Sequence, residues 1–175
     1  MINRIIIFAS FFCLFTTTFA GAADVAKLGV VDFQKIIQSS SAGKEAQAKI
    51  NEKGKEMEKD LKAKGSEIEE IKKKLDRESL VMSKEMRDQK EREFRIKVND
   101  FKALEKKYKA ELNETNSKLV LKIQKDVVKL AKEIGKKEGY LLIIEKNTAG
   151  ILYSPVSIEI TDKIIKIYND QTSAR

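Results

Sequence analysis

KEMRDQKEREFRIKVNDFKALEKKYKAELNETNSKLVLKIQKDVVKLAKEIGKK, residues 84–137, contains no proline and no glycine before Gly135. Its apolar positions Phe94, Val98, Phe101, Tyr108, Leu112 and Leu119 recur at helical spacing, so the run predicts one long helix. Beyond Leu119 the apolar positions step to Ile123, Val127, Leu130 and Ile134, which shifts the heptad phase as a stutter does. Leu119, Val120, Leu121, Ile123, Val127, Val128, Leu130, Ala131 and Ile134 surround more than one face, so burial is expected at this end. Lys136 and Lys137 complement the C-terminal macrodipole, and Gly139 offers a left-handed exit.

Upstream, Ser41 is the expected N-cap of a second helix over Ala42–Leu75, also free of proline. Ile50, Met57, Leu61, Ile68, Ile71 and Leu75 occupy alternating a and d places, but Gly54 and Lys64 dilute that seam. A tight two-stranded coiled coil rarely accepts both a glycine and a lysine in its core, so the helix is expected to be loosely paired or to line an open space. The phase is lost around Asp76–Ser83, where Asp76, Ser79 and Ser83 supply turn chemistry, so the two helices are read as an αα-hairpin reversing there. At 1.5 Å per residue the arms measure about 50 and 80 Å, so the longer one must continue into a body. The expected division is a hairpin arm over 42–119, with its tip near 76–83, and a β-containing body from 23–41 and 120–175.

Both ends of the chain carry strand signals. Leu28–Val31 suits a short strand, and Asp32 can cap an amphipathic segment from Phe33 to Gln38. Tyr140–Glu145, the turn-forming Lys146–Gly150 and Ile151–Tyr153 read as a β-hairpin closed by Pro155. Thr161-Asp162 opens a last helix carrying Ile164, Ile165, Ile167 and Tyr168, with fraying expected after Asn169. Three short strands per chain make no stable sheet alone, which points to pairing between subunits.

The N-terminus reads as an address. Arg4 precedes an apolar run, Ile5–Phe19, ending in Ala20, Gly21, Ala22 and Ala23, so a signal peptide spanning 1–22 and a mature start at Ala23 are expected. Thr18-Phe19-Ala20 is a second acceptable site, and the run is short for an uncleaved anchor. The single cysteine, Cys13, lies inside this leader, and the chain has no histidine or tryptophan. The mature residues therefore cannot build a Ser-His-Asp or Cys-His centre, nor a His or Cys metal cluster, and no cofactor is expected. Gly43-Lys44 lacks the remaining residues of a phosphate loop. The formal charge of +8 favours anionic partners, but export makes nucleic acid an unexpected one.

Gly29-Val30-Val31-Asp32-Phe33-Gln34-Lys35-Ile36-Ile37-Gln38, with Ser41-Ala42-Gly43-Lys44 and Ala46-Gln47-Ala48, resembles the opening of Skp/OmpH proteins. Gly139-Tyr140-Leu141-Leu142-Ile143-Ile144, Ile151-Leu152-Tyr153 and Ile160-Thr161-Asp162-Lys163-Ile164 resemble their close, with Glu159 where the family more commonly has Asp. The arms match only in helical, charge-rich character. The resemblance implies a mainly α fold with a small β body, assembled as a jellyfish-like homotrimer whose helical hairpins surround a cavity. It further implies a non-enzymatic periplasmic holdase that works without ATP, shielding unfolded outer-membrane proteins and delivering them to the outer membrane.

On that reading the client-contacting apolar candidates are Met57, Leu61, Ile68, Met82, Met86, Phe94, Phe101 and Tyr108, flexible or aromatic side chains suited to many sequences. They serve equally well as glue between the two helices. Between Lys72 and Lys97 ten basic residues face six acidic ones. Lys72, Lys73, Lys74, Arg77, Lys84, Arg87, Lys90, Arg92 and Arg95 are the candidates for a cationic tip that steers acidic clients, anionic lipid or lipopolysaccharide; otherwise they form the solvated face of a long helix. Val30, Val31, Phe33, Leu142, Ile144, Ile151 and Tyr153 are the candidates for the trimer body. Two other classes compete: a structural coiled-coil envelope adaptor, and a basic nucleic-acid-binding protein.

Overall fold

The computed structural model describes residues 26–78 and 80–173. The expected leader and mature start lie outside the described residues. The elements in chain order are β1 (Leu28–Val31), α1 (Phe33–Ser39), α2 (Ser41–Glu78), α3 (Lys84–Glu138), β2 (Leu142–Glu145), a 3-10 turn (Val156–Ile158) and α4 (Thr161–Ser173). Long helices with one small sheet are the expected class. Among the described residues no helix is long and apolar enough to cross a membrane.

Local chemistry sets most boundaries. Asp32 leaves β1 in extended backbone and its carboxylate accepts the Lys35 N–H at 2.9 Å, which starts α1. Ser40 breaks the chain between α1 and α2, and its buried hydroxyl accepts the Gly43 N–H at 3.1 Å. The cap of α2 is therefore Ser40, one residue before the expected Ser41, whose own N–H donates to Asn169 Oδ1 at 2.8 Å. A Cβ on Gly43 would lie 1.7 Å from the Ile37 carbonyl oxygen, so this corner closes only around a bare Cα.

α2 continues past the expected Leu75 to Glu78, and Val81 and Met82 both donate to the Glu78 carbonyl as the chain reverses. The Ser83 hydroxyl then accepts the Met86 N–H at 3.2 Å and caps α3. At the far end of α3, Gly139 takes φ 72° and closes the helix with its N–H on Gly135, as the sequence predicts.

The sheet corrects one expectation. Leu142–Glu145 does not form a hairpin with Ile151–Tyr153; it pairs in parallel with β1, from Leu28 opposite Leu142 to Val31 opposite Glu145. On its other side β1 is bridged by Glu159, with the Ile160 N–H on the Val30 carbonyl at 3.0 Å, so β1 is central. The loop after β2 folds on itself through Ala149 to Glu145, Gly150 to Asn147 and Ile151 to Lys146. Among the described residues Ile151–Tyr153 leaves it without a partner strand, and Pro155 opens the 3-10 turn instead of closing a strand.

The core forms where the richer half of α3 meets the terminal elements. Val31, Ile36, Ile123, Val127, Leu130, Ile134, Ile160, Ile164 and Tyr168 are buried together. Thr161 is also fully buried, and its hydroxyl accepts the Asp32 N–H at 3.0 Å, tying α4 to the exit of β1. α4 does not fray at Asn169: Asn169 holds Ser41, and the Thr172 and Ser173 hydroxyls donate back to carbonyls of the preceding turn.

Glu138, the last residue of α3, forms ion pairs with Lys163 of α4 and, at 3.3 Å, with Lys27 just before β1. Lys27 also lies 4.1 Å above the Tyr140 ring. The Lys163 hydrogen bond, and then that from Lys27, hold the Glu138 carboxyl below the usual 4.5 against an opposing effect of desolvation. Its contribution to stability is thus fully present above pH 4.5 and is lost as pH falls through the lowered native value. Glu138→Gln is expected to flatten this part of the acid limb in urea midpoints measured as a function of pH. An unchanged pH profile would remove Glu138 from that role.

Candidate functional site: the helical arm and an apolar body face

α2 and α3 run antiparallel and are bridged by polar contacts at heptad spacing on α2. Lys53 pairs with Glu111 at 2.7 Å, Asp60 accepts the Tyr108 hydroxyl at 2.7 Å, and Glu67 pairs with Lys97 at 2.6 Å. Residues seven apart stay on one edge of a helix, so these contacts form a ladder along a single edge of the arm. The Asp60–Tyr108 bond is part-buried, and the two ion pairs are partly exposed and weak alone. Lys97 lowers the Glu67 pKa through its hydrogen bond, and the bond to Asp60 raises that of Tyr108.

Between the helices lies the apolar seam. Met57 is buried, whereas Leu61, Ile68, Phe94, Phe101 and Tyr108 are half-buried, so these candidates are packed and wet at once. Met82 is half-buried in the reversal and Met86 is exposed on the first turn of α3. The sequence reading missed Leu80 and Val81, which are 94% and 85% exposed at the tip. Two adjacent aliphatic residues inside a turn were the available signal.

Several tip cations are engaged along their own helix: Lys73 with Glu69 and Glu70, Arg87 and Arg95 with Glu91, and Lys90 with Glu93. The hydrogen bond to Glu69 raises the Lys73 pKa. Among the described residues no ion pair engages Lys72, Lys74, Arg77, Lys84 or Arg92. Paired and unpaired cations thus stand at neighbouring positions near the reversal.

The body candidates divide by burial. Val30 and Val31 are buried within the single chain, Phe33, Ile144 and Ile151 are half-buried, and Leu142 and Tyr153 are exposed. Leu142 borders an apolar groove of about 500 Å³ between α3 and β2, also lined by Phe33, Val128, Ala131, Tyr140 and Leu141. Leu141 is 72% exposed and Val128 41%, an exposure that isolated apolar residues show but a contiguous face rarely does. The described residues contain no group of His, Cys, Asp or Glu able to hold a metal.

A family model described as "Outer membrane protein (OmpH-like)" matches residues 27–168, from the residue before β1 to α4. A crystal structure from Caulobacter crescentus CB15, described provisionally as an OmpH-like outer membrane chaperone, superposes with a TM-score of 0.77 at 12% identity. The match covers 84% of this chain and 86% of that one, and it shows a common fold. No match is found among curated proteins. The arm, the parallel strand pair and the family model that spans both place this chain in the OmpH-like outer membrane protein family.

Proposed function

We propose that this chain is a periplasmic holdase, exported by cleavage of residues 1–22, that uses no ATP and catalyses no reaction. Three copies assemble through the body, and their arms enclose unfolded outer-membrane proteins until these reach the outer membrane. The observation that carries the reading is the arm's seam: apolar along its length, yet half-exposed at Leu61, Ile68, Phe94, Phe101 and Tyr108. Such a surface offers many weak contacts, and a holdase has to let its client go. The adaptor reading needs an uninterrupted seam and a fixed partner, whereas Gly54 and Lys64 interrupt this one.

The test is dilution of a urea-unfolded outer-membrane protein into buffer with and without the exported chain, followed by light scattering. Suppression at near-stoichiometric trimer is expected, and undiminished aggregation would end the holdase reading. Sedimentation of the same sample tests the assembly, for which a monomer is the contrary outcome.

Open cations such as Lys72, Arg77 and Lys84 would steer acidic clients and anionic lipid or lipopolysaccharide toward the arm ends. The capture rate of an acidic client is then expected to fall by roughly tenfold between low and physiological ionic strength, because steering acts on the encounter rate and is screened. A salt-independent rate would reject steering while leaving the holdase reading in place.

A further inference from the structure

Two apolar surfaces of the body have no cover among the described residues, and they lie in different places. The first is the groove between α3 and β2, where Val128, Leu141 and Leu142 are exposed. Leu121, one heptad up α3 from Val128, is exposed on the same edge and lengthens this face. The second is the segment that follows the β2 loop. Leu152 is fully exposed, Tyr153 and Val156 nearly so, and no charged residue occurs between Gly150 and Ile158 in a chain that is 35% charged. Single exposed aliphatic residues are ordinary, but an uncharged run projecting three large apolar side chains is not.

The segment does not cover the groove of its own chain. It leaves the 146–150 loop and runs to Glu159, which bridges Val30 on the side of β1 away from β2. Among the described residues none from 146 to 158 lines the groove. Nor does the groove fit against a second groove, because Lys132 and Lys136 line it and would meet their own copies. Glu145, the acidic residue of the lining, is already engaged by the N–H groups of Phe33 and Thr148. The uncharged segment meets no such conflict, and the lysine stems can lie along its apolar side chains with their ammonium groups in water.

We propose that residues 151–156 of one copy seat Leu152, Tyr153 and Val156 in the α3–β2 groove of the next and lie along the open edge of β2. The proposal rests on the trimeric assembly put forward above and assigns its contact surfaces and their direction. One contact then covers both apolar surfaces, whereas a client segment or an acyl chain in the groove would leave the projecting segment in water. Because the two surfaces differ, the contact is heterologous: copies join head to tail, and the last groove receives the first segment as the ring closes. An open dimer keeps one free segment and one free groove, so it can still add a copy, while the closed ring presents neither.

Leu142→Cys and Leu152→Cys placed in one exported chain, then treated with a short bifunctional thiol reagent, test the joint, because the only native cysteine, Cys13, lies in the expected leader. Covalent trimers are expected from the doubly substituted chain, and only traces of covalent dimer from either single substitution. Single substitutions that crosslink as well as the double would set like surface against like and overturn the proposal. A doubly substituted chain that sediments as a trimer yet stays uncrosslinked would overturn it too.

Leu152→Asp with Tyr153→Asp provides a second measurement, set against Leu80→Asp with Val81→Asp, a comparably exposed apolar pair at the tip. In sedimentation the first variant is expected to raise the midpoint concentration of assembly by roughly a hundredfold or more, because its carboxylates would be buried without partners. The tip variant is expected to assemble as wild type does. Equal midpoints for the two variants would overturn the proposal, whereas a wild-type chain that sediments as a monomer would overturn the trimeric assembly itself.

Discussion

Gly43→Leu is expected to destabilise the chain by about 3 kcal/mol, the upper end of what overpacking a closed site costs. Three backbone atoms of Ile37 surround the absent side chain: its carbonyl oxygen at 1.7 Å, its carbonyl carbon at 2.7 Å and its Cα at 3.2 Å from an ideal Cβ. Backbone cannot rotate away as a side-chain end can, so α1 would have to lift. α1 is not free to do so, because Ile36 is fully buried and Ser40, also fully buried, caps α2 through Gly43 itself. Helix propensity argues the other way, since leucine gains close to 1 kcal/mol over glycine in an open helix. Gly54→Leu, with nothing within 4 Å of its Cβ, isolates that gain. Urea midpoints should therefore move in opposite directions for the two substitutions. A Gly43→Leu chain as stable as wild type would mean that the corner is not closed as described.

The contrast between Gly43 and Gly54 shows what a sequence reader can and cannot see. Capping residues act within one turn, so Asp32, Ser83 and Gly139 were legible as boundaries, and the structure sets each where its side chain or φ demands. The long helices were legible for the same local reason. The partner of Leu142–Glu145 was not, because apolar runs separated by a turn-forming loop also describe a hairpin. The choice was made by β1, more than 100 residues away in the chain, which needed a neighbour to bury Val30 and Val31. The position of the cap at Ser40 rather than Ser41 depended on Asn169 reaching across from α4, again a non-local contact. Of the candidate site, the apolar residues of the arm were legible from their period. The ladder was not, since heptad spacing on α2 says nothing about which α3 residue lies opposite.

Val128→Asp combined with Leu142→Asp is expected to leave a folded monomer that no longer suppresses aggregation. Both side chains border the same groove, and they are 41% and 51% exposed in the single chain, so a carboxylate at either place remains hydrated before assembly. β2 has β1 on one edge, and among the described residues no strand covers the other. A two-stranded sheet flanked by an apolar groove is marginal in water, and in the proposed assembly a second copy would supply both the missing strand neighbour and the missing apolar cover. Burying an unpaired carboxylate in such an interface costs about 3 kcal/mol after relaxation, and threefold assembly repeats each charge in every copy. Even half that total exceeds the 1.4 kcal/mol per tenfold change in affinity many times over, so the trimer should disappear at any practical concentration. Sedimentation would report the monomer, and far-ultraviolet circular dichroism would show its helices intact. A doubly substituted chain that still sediments as a trimer would place the interface elsewhere, and the groove between α3 and β2 would then need another occupant.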